Sequence, residues 1–193
     1  DGRYWVEKKY NKVLHNHPVK VRARIEQIVQ SNHLISPGIK IKETDQFWIV
    51  QQEKCRGQKS DGILTKGLIY LLAEKIDTWH GAGFIHGDLC LSNIFKLNQT
   101  DLEIIDWEPS LELHVDDGIV LRTTGYCLHP EDYETGNLTI KSDYFALVTY
   151  CLVIKNGMQQ FSRMVMDNQV RNDVGKMANG HSSAVSLASY FVD

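Results

Sequence analysis

Hydrophobic and polar positions change their period along the chain, and each change predicts an element. Residues 3–10, RYWVEKKY, mix aromatic and β-branched residues with charges that can alternate across a sheet, which predicts a strand. Lys8 and Lys9 then fall on opposite faces of it. His15-Asn16-His17-Pro18 reads as a loop. Over 19–33, Val21, Ile25, Ile28 and Val29 recur at i, i+4, i+7 and i+8, one apolar stripe of a helix, with Glu26 beside the stripe. Ser36-Pro37-Gly38 ends that helix. IKIKE (39–43), a TDQ turn and FWIVQQ (47–52) read as a β-hairpin. The polar run EKCRGQKSDG (53–62) reads as a linker.

Leu64, Leu68, Leu71, Leu72, Ile76 and Trp79 mark one face of a long helix over 63–82, which Gly81 and Gly83 stop. Two short strands with loops are expected between Phe84 and Glu108, followed by a polar segment from Pro109 to Thr124. Residues 141–154, KSDYFALVTYCLVI, are apolar nearly all round from Tyr144 onward, so they predict a helix inside a globule. The tail, 155–193, is less patterned, and SSAVSLASYFVD reads as a last helix or a frayed end. The order is strands with one helix, a polar hinge, then mostly helices. That predicts a two-lobed α+β protein with its chemistry at the junction. The reduced, β-rich lobe takes residues 1–53 and the mainly helical lobe residues 54–193.

Composition narrows the function classes. A net charge of −3 and a pI near 6.2 supply no basic footprint for nucleic acid. No apolar run reaches the ~18–20 residues of a membrane span, and no signal-peptide pattern is visible. The four cysteines, Cys55, Cys90, Cys127 and Cys151, are far apart and form no C-x-x-C pair. Neither a metal knuckle nor a redox dithiol is therefore expected, and scattered thiols suit a reducing interior. The His15/His17 pair has no third metal ligand nearby in sequence.

The chemistry gathers between Phe84 and Glu108, FIHGDLCLSNIFKLNQTDLEIIDWE. Asp88 closes a His-Gly-Asp turn, Asn93 follows five residues on (93 − 88), and Asp106 follows eighteen residues on (106 − 88), after an apolar pair. An acid, an amide and a second acid on loops between short strands make a plausible phosphoryl-transfer centre. The first acid can orient a hydroxyl, while the amide and second acid hold Mg²⁺ against nucleotide phosphates. Each alone is an ordinary turn residue; the joint spacing carries the reading.

From Trp5 to Ile154 the chain resembles the protein-kinase-like superfamily. HGDLCLSN is similar to the family's H-R-D-x-x-x-x-N catalytic loop at Asp88 and Asn93. IIDWE (104–108) stands where D-F-G stands, TTGYCLHPE (123–131) resembles the end of the activation segment, and SDYFALV (142–148) the start of the central buried helix. WVEK (5–8) resembles V-A-I-K. The resemblance implies ATP and Mg²⁺ as cofactors, with Asp88 as the catalytic aspartate that accepts or orients the hydroxyl proton, and Asn93 and Asp106 on the metal. It implies Lys8 on the α/β-phosphates, with Lys9 as its rival, and Glu26 as the helix glutamate pairing with that lysine. Gln51, Gln52, Glu53 and Lys54 stand where a hinge offers backbone groups to adenine. Asp143 would tie back the catalytic loop, and Glu131 would pair with a buried arginine, Arg163 or Arg171. Trp107 would fill the place of the D-F-G phenylalanine, and Thr124 resembles the threonine that bonds the catalytic Asp in Ser/Thr kinases.

H-G-D and I-D-W-E are shared with aminoglycoside and choline phosphotransferases, whereas T-x-G-Y-x-x-P-E and S-D-x-F-x-L are shared with protein kinases. The second pair weighs more, because small-molecule kinases lack that anchor. No glycine-rich loop precedes Lys8, Cys90 replaces the lysine expected two residues after Asp88, and Gly87 replaces the arginine that reads a phosphorylated activation loop. The resemblance therefore implies a minimal Ser/Thr protein kinase, of the sort found among bacterial effectors and viral proteins, without activation-loop control. Its implied partners are a protein substrate and an activating or docking protein, with no nucleic acid. Its implied location is cytoplasmic, with delivery into a host cell as one route. A pseudokinase acting as an interaction module, and a small-molecule phosphotransferase, are the alternative functions.

Overall fold

Strand β3 (Phe47–Glu53) is the centre of the first sheet, and its side chains alternate as a one-sided strand requires: Trp48, Val50 and Gln52 are buried, and the residues between them are not. In the computed structural model, which describes residues 5–11, 40–54, 57–59, 65–98, 100–106, 127–135, 138–156 and 167–192, β3 pairs antiparallel with both neighbours. On one side lies β1 (Trp5–Asn11), in a register that sets Lys8 opposite Val50. On the other lies β2 (Lys40–Glu43), joined through a tight turn. Thr44 closes that turn, its backbone N–H donating to the Phe47 carbonyl and its hydroxyl accepting from Phe47 N–H, both at 2.9 Å. The expected helix over 19–33, with Glu26, lies outside the described residues, as does the His15/His17 pair.

A second antiparallel sheet is small: β4 (Gln58–Lys59), β5 (Ile94–Lys96) and β6 (Leu102–Ile104), in that order. Its first strand falls in the run read as a linker. Two residues are too few to show a period of two, and their pairing depends on the edge that β5 offers (Gln58 opposite Lys96, Lys59 opposite Phe95).

Helix α1 (Lys66–Gly81) begins where Thr65 caps it, the threonine hydroxyl accepting from Leu68 N–H at 3.2 Å. It ends at a turn closed by Gly83, whose φ of 80° needs no Cβ. Helix α2 (Pro130–Thr135) is a short one, and α3 (Ile140–Asn156) is the expected buried helix, with Ser142 through Cys151 all inside. The core packs α3 against α1 and the last helices, with Ile69, Leu72, Ile76 and Trp79 meeting Phe145, Leu147, Val148 and Tyr150.

The tail holds two helices, α4 (Asn168–Ala178) and α5 (Ala184–Val192). The first is polar on most of its surface and buries only Val174, Gly175 and Ala178. Asp167 caps it by accepting from Gln169 and Val170 N–H groups at 2.8 and 3.3 Å. Two groups cap α5: the Ser183 hydroxyl accepts from Ser186 N–H at 3.0 Å, and Asp77 of α1 accepts from Ala184 N–H at 2.6 Å and Val185 N–H at 3.0 Å. The architecture is thus α+β, two small antiparallel sheets with a helical core. Among the described residues no helix is long and apolar enough to cross a membrane.

Candidate active site

The site is built on the turn between α1 and β5. Gly87 has φ of +83°, and a Cβ there would lie 2.8 Å from both Leu138 methyl carbons. Both facts disfavour a larger residue, since an L side chain rarely adopts this φ and Leu138 would have to shift. Asp143, at the start of α3 and fully buried, holds the turn from below. One of its oxygens accepts from Gly87 N–H at 2.9 Å; the other accepts from His86 N–H at 2.9 Å and lies 2.9 Å from His80 Nε2. Burial pushes the Asp143 carboxyl up, but hydrogen bonding and charge from His80 and the Gly87 N–H outweigh it and hold the group below its ordinary value.

His86 ties this turn to the end of β6. Its Nδ1 accepts from Asp88 N–H at 3.1 Å, so Nε2 carries the proton and donates to the Ile105 carbonyl at 3.0 Å. Burial holds the imidazole pKa below its ordinary value, outweighing the carboxylates of Asp143, Asp88 and Asp106. The ring is a neutral strut between the segments that bear the two site acids.

Asp88 and Asn93 meet directly. The Asn93 side-chain amide donates to the Asp88 carbonyl at 3.0 Å and to its carboxylate at 3.2 Å, and both residues are buried. Two acceptors fix the amide orientation, so Oδ1 points away from them; among the described residues it accepts no hydrogen bond. Asn93 also takes Ile105 N–H on its own carbonyl at 3.0 Å, one residue before Asp106. Asp106 has a φ of 62°, the one positive φ outside glycine among the described residues, and its carboxylate is ion-paired with Lys8 of β1. A strained backbone at a polar site is more informative than the aspartate alone.

Lys8 and Asp106 line a cavity of about 190 Å³ between the two sheets. Val6, Val50, Phe95 and Ile105 give it apolar walls, and Gln52, Glu53 and Lys54 line another part. A mainly apolar slot that also carries charged groups suits a flat heterocycle bearing an anionic group. Lys9 points the other way and pairs with Glu7 at 3.5 Å, with 60% of its side chain exposed. Strand alternation thus separates the two lysines, and Lys8 is the one at the cavity. Gln51 does not line it; its amide donates to Glu7 at 2.8 Å on the opposite face.

Among the described residues Glu131 takes no arginine. It pairs with Lys141 at 2.5 Å, and its side chain is 55% exposed. Arg171 instead donates to the Leu128 carbonyl at 3.3 Å and lies over the Phe145 ring. The buried anchor of that segment is the next residue, Asp132, missed in the sequence. It accepts from Thr139 N–H at 2.9 Å and from the Ser142 hydroxyl at 2.6 Å, while Ser142 accepts from His129 N–H at 3.0 Å. Its signal was available: an aspartate beside a Pro-Glu pair, ahead of a Thr and a Ser at a helix start. Thr124, Trp107, Glu26 and Arg163 lie outside the described residues.

The cysteines depart from expectation. Cys90 and Cys127 are far apart in sequence, yet their sulfurs and an Asp88 carboxylate oxygen all lie within 4.8 Å of one another, and all three residues are buried. Comparison with known proteins finds no matching family model and no matching curated sequence.

Proposed function

We propose that this chain is a minimal, ATP- and Mg²⁺-dependent protein kinase of the protein-kinase-like superfamily, moving the γ-phosphoryl group to a Ser or Thr hydroxyl of a protein. The observation that carries the reading is one connected arrangement: Asp88 bonded to Asn93, Asn93 bonded to the backbone beside Asp106, and Asp106 paired with Lys8 at an apolar slot. In this reading residues 1–53 and 54–193 are the two lobes, and the slot takes the base, with backbone groups of Gln52 to Lys54 at its edge.

Asp88 accepts the proton of the attacking hydroxyl. That oxygen bonds to the γ-phosphorus as the bond to the β-bridging oxygen breaks, and ADP leaves. Lys8 turns from Asp106 to the α/β-phosphates. Asn93 Oδ1 and the Asp106 carboxylate are hard oxygen donors, the set that suits Mg²⁺, and the Asn93 oxygen has no competing hydrogen bond among the described residues. When bound, the ion would neutralise charge on the phosphates.

The test is labelling of a cell lysate with γ-labelled ATP and Mg²⁺. Asp88→Ala lowers the rate about 10²–10⁴-fold, and Lys8→Ala lowers it through weaker nucleotide binding. Equal labelling by wild type and Asp88→Ala, or none by either, refutes the reading. A second reading, an interaction module without catalysis, is favoured by Cys90, whose thiol lies 2.9 Å from the Ser92 hydroxyl where a phosphate-contacting lysine is expected. Stabilisation by ATP with Mg²⁺, about 2.7 kcal/mol at 100 times the Kd, argues for nucleotide use; its absence favours the module.

A further inference from the structure

We propose that Asp88, Cys90 and Cys127 form a binding site for a thiophilic divalent cation of the zinc class. Two sulfurs and one carboxylate oxygen lie within 4.8 Å of one another, and the Cys90 sulfur is 4.0 Å from Asp88 Oδ2. Bonds of about 2.3 Å to sulfur and 2.0–2.2 Å to oxygen set tetrahedral ligands roughly 3.5–3.8 Å apart. Closing the triangle therefore needs shifts of about 1 Å or less. Three protein ligands with a fourth position left for water is the usual form of an open zinc site. Two soft sulfurs select against Mg²⁺ and for zinc-class ions.

Both arms of the site are anchored by hydrogen bonds beside the cysteines. The Tyr150 hydroxyl of α3 donates to the Leu89 carbonyl, next to Cys90. On the other arm, Arg171 holds the Leu128 carbonyl and Ser142 holds His129 N–H, next to Cys127. Anchored neighbours of this kind keep ligands aimed, as outer hydrogen bonds do around established metal sites. On binding, the two thiols release their protons to solvent and their sulfurs, with the carboxylate, bond the ion. The consequence for phosphoryl transfer rests on the function proposed above: a cation holding Asp88 removes the acceptor for the hydroxyl proton, so zinc inhibits.

Titrating the metal-free full chain with Co²⁺ under a non-thiol reductant reads the site without any enzymatic assay. One cobalt per chain, a thiolate-to-metal charge-transfer band and tetrahedral visible bands, all abolished by Zn²⁺, are expected. Cys90→Ser and Cys127→Ser each lose the charge-transfer intensity, while Cys151→Ser and Cys55→Ser keep it. No thiolate band in the wild type, which needs no variant to fold, overturns the site; so does a band that survives both Cys90→Ser and Cys127→Ser. In the kinase assay, zinc inhibits the wild type at least tenfold more strongly than Cys127→Ser. A full cobalt spectrum from a chain that transfers no phosphate supports the metal site and sinks the kinase reading, so the two failures are distinguishable.

Discussion

Replacing Asp143 by alanine tests how the site turn is held. The side chain is fully buried and accepts from two backbone N–H groups at 2.9 Å while contacting His80 Nε2 at the same distance. In the alanine variant the His86 and Gly87 N–H groups lose this acceptor. A buried donor left unpaired costs about 1–3 kcal/mol, so the two together cost about 2–6 kcal/mol. A domain's whole stability is about 5–15 kcal/mol, so the variant sits near the edge of folding. Asp143→Asn keeps one acceptor oxygen but turns an NH₂ group toward a donor, and it costs about half as much. Urea unfolding followed by circular dichroism at neutral pH measures both. The Asp143 pKa is lowered in the folded state, so its contribution is complete above the ordinary carboxylate value near 4 and is lost as pH falls through the lowered value. The wild-type advantage over Asp143→Asn should therefore hold at pH 5 and shrink only in stronger acid. A loss below about 1 kcal/mol for Asp143→Ala, with an unchanged urea slope, would show that the turn stands without this carboxylate.

Two further outcomes follow from the same turn. Gly87→Ala places a Cβ at φ +83° and 2.8 Å from Leu138, so it should cost about 1–3 kcal/mol in thermal or urea unfolding. Adding Leu138→Ala should relieve the clash but leave the dihedral strain, and full recovery would show that sterics alone select glycine. His86 has a folded pKa below its unfolded value of about 6.5. The unfolded chain therefore binds the extra proton first, and stability should fall as pH drops below about 6.5. His86→Gln should flatten that part of the profile, and an unchanged slope would assign it to another group.

The elements most legible in the sequence are those whose burial is set by their own residues. The alternation in β3 and the nearly all-round apolar α3 are properties of seven and seventeen consecutive residues, and any packing of them must hide the same side chains. The strand that carries Lys8, the hairpin and α1 were legible for the same reason. The spacing of Asp88 and Asn93 was informative because a five-residue loop leaves little freedom, and their hydrogen bond is local. β4 and α4 escaped notice because one is two residues long and the other is mostly polar.

Contacts between distant segments were decided only by tertiary structure. Glu131 and Asp132 are neighbours with the same charge, and the sequence alone could not say that Asp132 turns inward while Glu131 meets Lys141 in solvent. Asp77 is an ordinary helix aspartate until the first turn of α5 settles against it. Cys90 and Cys127, separated by 37 residues (127 − 90), show no ligand spacing along the chain. Hydrophobic periodicity records what each segment must bury, because burial acts on every residue of an element at once. Which polar groups meet depends on how the buried faces settle against one another, and that information resides in no single stretch of residues.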